Sequence, residues 1–399
     1  MHAASSVLQK CFADVFRQMH VRRVQVLLGA VMALLSCRRL VLMDLARAWP
    51  GAERVRAPLK RLDRLLSNGH LAAERTELYR HMARWLIGGR EAVIVVDWST
   101  LKADESWHLL RAALAVGGRT MTIYEEVHSQ RKQQSPGVHR RFLERLQQLL
   151  PAGCRPIIVT DAGFRCPWFR QVERLGWHWV GRVRNRVYVK LSETSPWQLT
   201  ANLLESRARL RQFGAVQLVR EEPLQCQMVR YRQARHGRKH RTVRGDVSQE
   251  RSSREAARAQ REPWLLAYSN SLQAAQAMRI VTLYRQRMQI EESFRDLKCD
   301  RYGCAFKHSL TRRAARLSIL LLLHAMASFL AWVQGCAQER RQRTLHCVVR
   351  LHEERRHYSA VRIGWESLRR GKPPWALVRR ALCATAMPPW LFNATPLTS

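Results

Sequence analysis

The chain has 399 residues, 46% of them hydrophobic, which is enough for a sizeable core and for two or three domains. Its 69 Lys+Arg against 31 Asp+Glu give a formal net charge of +38, a field that repels itself unless a polyanion neutralises it. Nucleic acid is therefore the first partner to consider, and Arg, which suits bidentate phosphate contacts, far outnumbers Lys. The excess is spread along the chain, which argues for a large binding surface and against a disordered basic arm. Ten cysteines show no C-x-x-C pair and no finger-spaced His pair, which argues against structural zinc and for reduced cytosolic thiols.

The first ninety residues read as helices. "SSVLQKCFADVFRQM", "RVQVLLGAVMALLSC", "LVLMDLARAW" and "ERTELYRHMARWLI" carry apolar residues at three- and four-residue steps. Short basic connections such as "APLKRLDRLLSNG" are expected between them. Residues 1–90 thus form an Arg-rich helical domain compatible with DNA binding, with helical repeats or with scaffolding. The run from Val24 to Cys37 is shorter than the ~20 residues a membrane span needs.

At Glu91 the pattern changes. "AVIVVD" is a continuous apolar run ending in Asp97, typical of a buried strand. "SWHLLRAALAV" and "RTMTIYEEVH" flank Gly117-Gly118, a hairpin signal. A helix ("GVHRRFLERLQQLL") precedes "RPIIVTD", a second short apolar run ending in an aspartate, Asp161. "PWFRQVERLG" reads as helix and "WHWVGRVR" as strand. Residues 91–183 are thus the first part of an α/β core. Over 184–262, "RVYVKL", "GAVQLVRE" and "LQCQMVRYR" predict a mainly β insertion. It is followed by a very basic piece, Gln233 to Arg261, that reads as a phosphate-binding loop or as a solvated linker. "PWLLAYS" reopens the core over 263–310, and 311–399 reads as a helical region ending in Pro-rich irregular chain. Leu317 to Val333 approaches spanning length, but with His324 in its middle it is expected to be a buried helix.

The stretch "YRQRMQIEESFRDLK", Tyr284 to Lys298, reads as one helix with two adjacent glutamates, Glu291 and Glu292, beside its apolar side. Asp97 and Asp161, each closing an apolar run, are expected at the C-terminal ends of buried strands, where ligands bind open α/β sheets. Carboxylates gathered there repel unless cations lie between them, and a third on a neighbouring helix completes an oxygen-ligand site for hard divalent metals. Taken singly, an aspartate at a strand end also suits a turn.

Tyr284, Arg287, Glu291 and Lys298 follow the spacing Y-x2-R-x3-E-x6-K, which resembles the YREK signature of DDE insertion-sequence transposases of the IS-four family, typified by Tn-ten and Tn-five. "VVDWS" around Asp97, "TDAGF" around Asp161 and "LGWHWVGRVR" are similar to further motifs of that family, in the same order. The resemblance implies a ribonuclease-H-like catalytic core with a mainly β insertion, flanked by N- and C-terminal helical regions. It implies Asp97, Asp161 and Glu291 as catalytic, metal-binding residues for Mg²⁺ (or Mn²⁺), with Glu292 outside the spacing and structural. Tyr284, Arg287 and Lys298 would hold phosphates of the DNA end, and Trp264 would be either a platform for a flipped base or a core tryptophan. The partners implied are double-stranded DNA, as inverted-repeat ends and target, and a second copy of the chain in a paired-end complex. Competing readings are a nuclease of the same fold that does not join strands, and a DNA-binding protein without catalysis.

Overall fold

The computed structural model describes residues 2–88, 91–184, 187–205, 208–233, 246–251, 253–254, 262–340 and 358–369. They fall into two compact units, Met1–Cys154 with Met288–Ser399, and Arg155–Arg287. Most of the basic piece after Gln233, and the Pro-rich tail, lie outside the described residues.

The first unit opens with helices α1 (His2–Cys11), α2 (Ala13–Gln18), α3 (Val21–Cys37), α4 (Leu42–Arg47), α5 (Arg56–Leu66) and α6 (Gly69–Ile87). The expected connection "APLKRLDRLLSNG" is α5, and that expectation is corrected. Pro58 lies in the first turn, where its missing N–H costs no helical bond, and Pro58, Leu62, Leu65 and Leu66 form a buried stripe. The density of Arg and Lys between those leucines hid their period. Asn68 caps α6, its Oδ1 accepting the Leu71 N–H at 2.8 Å.

Strands β1 (Val93–Thr100), β2 (Trp107–Ala115) and β3 (Thr120–Ser129) form an antiparallel meander. The β2–β3 turn holds Gly117 and Gly118 at φ of 84° and 80°, values that side chains with a Cβ rarely adopt. Ile94, Val95 and Val96 are all fully buried, so both faces of β1 are covered. β1 also continues past its aspartate, because Trp98 to Thr100 pair with Leu110 to His108. Asp97 therefore lies within the strand and not at its end. Helix α7 (Pro136–Leu149) follows.

The second unit contains β4 (Ile157–Thr160), helix α8 (Cys166–Arg174), β5 (His178–Val183), β6 (Tyr188–Lys190), β7 (Gln198–Leu199), β8 (Leu210–Leu218), β9 (Leu224–Tyr231), β10 (Trp264–Tyr268) and helix α9 (Ala277–Arg285). β4 and β5 are parallel, and β10 lies antiparallel between β5 and β9. The described strands over 184–262 thus continue the β4–β5 sheet through β10. β8, β6 and β7 extend it by antiparallel pairing.

The first unit resumes with α10 (Met288–Lys298), α11 (Ala314–Arg340) and α12 (Ala360–Arg369). Helix α11 is long and apolar enough to cross a membrane, but 89% of its most apolar window is buried inside the fold, as expected for a core helix. It meets α12 backbone to backbone. A Cβ on Gly364 would fall 1.6 Å from the Ala331 carbonyl oxygen, and one on Gly335 would fall 1.7 Å from that of Ala360. The chain is a mixed α/β protein with a large, mostly β sheet and helical flanks, consistent with a ribonuclease-H-like core.

Candidate active site

The single helix expected over Tyr284–Lys298 is two helices. The Gln286 and Arg287 N–H groups donate to carbonyls three residues back, Leu283 and Tyr284, at 3.1 and 3.0 Å, which tightens and ends α9. No Gly or Pro marks this break. Tyr284 therefore lies in the last turn of α9, Arg287 sits in the turn after it, and only Glu291 and Lys298, seven residues apart, share a face of α10.

In the first unit, Asp97 Oδ1 accepts the Trp98 N–H at 2.8 Å. Lys298 Nζ donates to Ser99 Oγ at 2.7 Å, two residues beyond that aspartate. Burial, and after it the Arg111 guanidinium, push the Lys298 ammonium below the usual lysine range, while Asp97 pulls it up. Arg111 faces Asp97 in the β1–β2 register. It is fully buried and its charge is met by Glu125, whose Oε2 accepts from Arg111 Nε at 2.7 Å and whose Oε1 accepts the Tyr79 hydroxyl at 2.7 Å. The guanidinium also lies 5.2 Å from the centre of the Phe294 ring.

Helix α10 gives its two glutamates different surroundings. Gln289, Glu292, Ser293 and Asp296 occupy one face and grip the β2–β3 turn. Gln289 Oε1 accepts the Gly117 N–H at 3.1 Å, Ser293 Oγ accepts the Thr120 N–H at 2.8 Å, and Arg119 donates from Nε to Asp296 at 2.5 Å. Arg119 lies 3.7 Å from Glu292, which also pairs with Arg295. Glu292 is thereby committed to the turn. Exposed Glu291 is turned away from that grip.

In the second unit, Asp161 directly follows β4, and its Oδ1 accepts the Gly163 N–H at 2.8 Å. Alternation along β5 puts Arg182 and Arg184 on one side, where both pair with Glu262; Arg184 Nε donates to Oε2 at 2.9 Å and the Arg182 ion pair spans 3.3 Å. The hydrogen bond to Glu262 is the first cause that raises the Arg184 pKa, and Asp161 and Tyr284 act in the same direction. Tyr284 is buried with Arg287 over its ring at 5.9 Å. Burial raises its phenol pKa, while Arg287 and Arg182 lower it. Trp264 is 8% exposed, packed edge-on against Tyr284 with centroids 4.9 Å apart. The structure therefore places Asp161, Trp264, Tyr284 and Arg287 in one unit, and Asp97, Glu291 and Lys298 in the other.

A donor set of two aspartates and a glutamate, without thiol or imidazole, has the chemistry of a site for hard divalent ions. Among the described residues no three His, Cys, Asp or Glu side chains are gathered to hold an ion. Arg111, Glu125, Arg119, Asp296, Arg182 and Arg184 are the site neighbours that sequence reading passed over. The only available signal was the alternation in "GRVR", which pairs Arg182 with Arg184.

A family model described as "Transposase DDE domain" matches residues 88–330, more than half the chain and a span that includes every residue just named. The chain belongs to that family. It is a DDE-type DNA transposase, an enzyme class that acts on DNA with divalent metal ions. No curated protein matches it.

Proposed function

We propose that this transposase moves a DNA element by cut and paste, as a member of the IS-four group with its YREK signature. In this reading a homodimer pairs two inverted-repeat ends through the helical domain of residues 1–90, working on chromosomal DNA in the cytoplasm. The observation that carries the reading is the family match together with a lysine, Lys298, held two residues from Asp97 and seven from Glu291.

Asp97, Asp161 and Glu291 are the proposed ligands of Mg²⁺, with Mn²⁺ as a substitute. When bound, such ions lower the pKa of an attacking water or hydroxyl and offset charge on a leaving oxygen. The protein's own part is positioning and charge. Lys298, held by Ser99 beside Asp97, faces the phosphate of the DNA end, and Arg287 and Tyr284 hold neighbouring phosphate oxygens. Water opens the first strand at phosphorus and frees a 3′-OH. That hydroxyl attacks the opposite phosphodiester to give a hairpin, water reopens the hairpin, and the same 3′-OH then attacks target DNA. The basic piece after Gln233 would follow the phosphate backbone. Trp264 would serve the hairpin step by stacking on an extruded base, at about 1–3 kcal/mol per base, once its packing against Tyr284 opens.

The test incubates purified chain with Mg²⁺ and linear DNA carrying the element's own ends, and resolves products on a denaturing gel. Nicks, hairpins and joined products are expected in that order. Hydrolysis with no hairpin and no joining would sink the cut-and-paste reading and leave a nuclease.

A further inference from the structure

The helix that sequence reading took for a connection has the most exposed cationic surface of the N-terminal helices described. Arg56, Lys60, Arg61 and Arg64 of α5 are all exposed, opposite the buried stripe of Pro58, Leu62, Leu65 and Leu66. Arg56, Lys60 and Arg64 recur at steps of four and form one row, with small, exposed Ala57 beside it. None of these four cations forms an ion pair with a described residue. The one acidic residue of α5, Asp63, is exposed but already paired. Arg316 of α11 donates to its Oδ1 at 2.7 Å and to its carbonyl at 3.3 Å. By contrast α3 exposes a single cation, Arg22, near its start and buries most of its later turns, and the exposed Arg17 of α2 is spent on Asp14.

From these observations we propose that α5 is the element that enters the major groove of the DNA end. The inference rests on the transposase reading above and names the residues that would read sequence. Eleven residues give a rod about 16 Å long, and a groove ~12 Å wide admits one α-helix. Arg and Lys on its outer row reach the O6 and N7 of guanine, and Ala57 suits a thymine methyl. Cations that hold the backbone beside the groove are also in place. Arg312 and Arg313, both exposed, share a hollow with Leu59 of α5, so positive charge continues past the helix onto the start of α11. The ion pair with Arg316 offsets the charge of Asp63, the one acidic residue of the helix.

The test offers the full chain, in EDTA so that no cutting occurs, a pool of 40-bp duplexes with a randomised centre, and sequences what it retains. Three proteins are compared: wild type, R56Q/K60Q/R64Q, and a charge-matched control, K10Q/R131Q/R141Q. Wild type and control are expected to enrich one motif. The α5 variant is expected to enrich none and to bind the winning duplex at least ~10²-fold more weakly, with an unchanged thermal midpoint. Should the α5 variant melt early, R56K/R64K decides; retained charge with relaxed preference at one or two base positions supports the proposal. Enrichment of the wild-type motif at wild-type affinity by either α5 variant overturns it. Equal weakening on duplex and on single strands also overturns it, since backbone charge alone would then be at work. Failure of wild type to enrich any motif is a different result: it removes sequence-specific end binding itself, and the inference with it.

Discussion

The neighbourhoods of Asp97 and Asp161 handle positive charge in opposite ways. Around Asp97 the strongest cation, Arg111, is sealed in the core and neutralised by Glu125, which leaves Lys298 as the cation near the carboxylate. Around Asp161 the cations are several and incompletely buried: Arg182 and Arg184 share Glu262, and Arg287 lies over Tyr284. One region is a fixed frame, built from a buried ion pair and a helix gripped by a turn. The other is a cluster of arginines that share Glu262 and also feel Asp161. A phosphodiester needs both: rigid carboxylates to set geometry and adaptable cations to take its charge.

The largest effects should fall on the carboxylates themselves and should be alike in the two regions. Asp97→Asn, Asp161→Asn and Glu291→Gln are each expected to reduce end cleavage by far more than the ~10–100-fold typical of outer-shell changes. Gel-shift affinity for end DNA should hold, because affinity comes from Arg and Lys. Full cleavage by any one of the three would remove that residue from the site.

Next comes the frame. Glu125→Ala leaves a buried guanidinium without its partner and is expected to cost about 3–5 kcal/mol, read as a fall in denaturant midpoint. Glu262→Ala strips a half-exposed group and is expected to cost about 1 kcal/mol or less. Similar losses at both positions would erase the distinction between frame and cluster.

Much of this was legible in the sequence. The apolar runs before Asp97 and Asp161 and the glycine pair of the β2–β3 turn were strong local signals, and each led to a strand or turn where one was expected. What stayed hidden depended on long-range pairing. Nothing near Asp97 says that β1 continues to Thr100; that follows from β2 lying alongside. Nothing in "RQRMQ" says that the helix ends, since no residue there is a breaker. Nothing in the sequence singles out Arg111 and Glu125, because burial of a charge becomes tolerable only once its partner is in place. Helix α5 was missed because its charges outnumber the apolar residues that make it amphipathic.

The frame should also respond to pH through His139. This imidazole is buried on α7 and accepts the Trp98 indole N–H at its Nε2, 3.0 Å away, next in sequence to Asp97. Burial, and then neighbouring His128, lower its pKa from 6.5 to about 4. The unfolded chain therefore takes up a proton first as pH falls. The stabilisation is complete above about pH 6.5 and is lost progressively down to about pH 4. A thermal midpoint that drops over this window, with a shallower drop in His139→Gln, is the expected outcome. Equal slopes in the two proteins would show that His139 is not responsible.

The smallest effect should separate the two adjacent glutamates of α10. Glu292→Gln removes one ion pair with Arg119 and one with exposed Arg295, but Arg119 keeps its bond to Asp296, and Ser293 and Gln289 keep theirs to the turn. The expected cost is about 0.2–1 kcal/mol, with cleavage within a few-fold of wild type. Adding Asp296→Asn strips Arg119 of its remaining carboxylate. The double variant should lose more stability than the sum of the single changes, because both carboxylates share one guanidinium. If the grip also sets the rotation of α10, the double variant should cleave more slowly at saturating DNA while binding it normally, since Glu291 and Lys298 would point elsewhere. Loss of stability with cleavage unchanged would make the turn a structural tie only. A Glu292→Gln protein that cannot cleave, beside a Glu291→Gln protein that can, would reverse the assignment of the two glutamates.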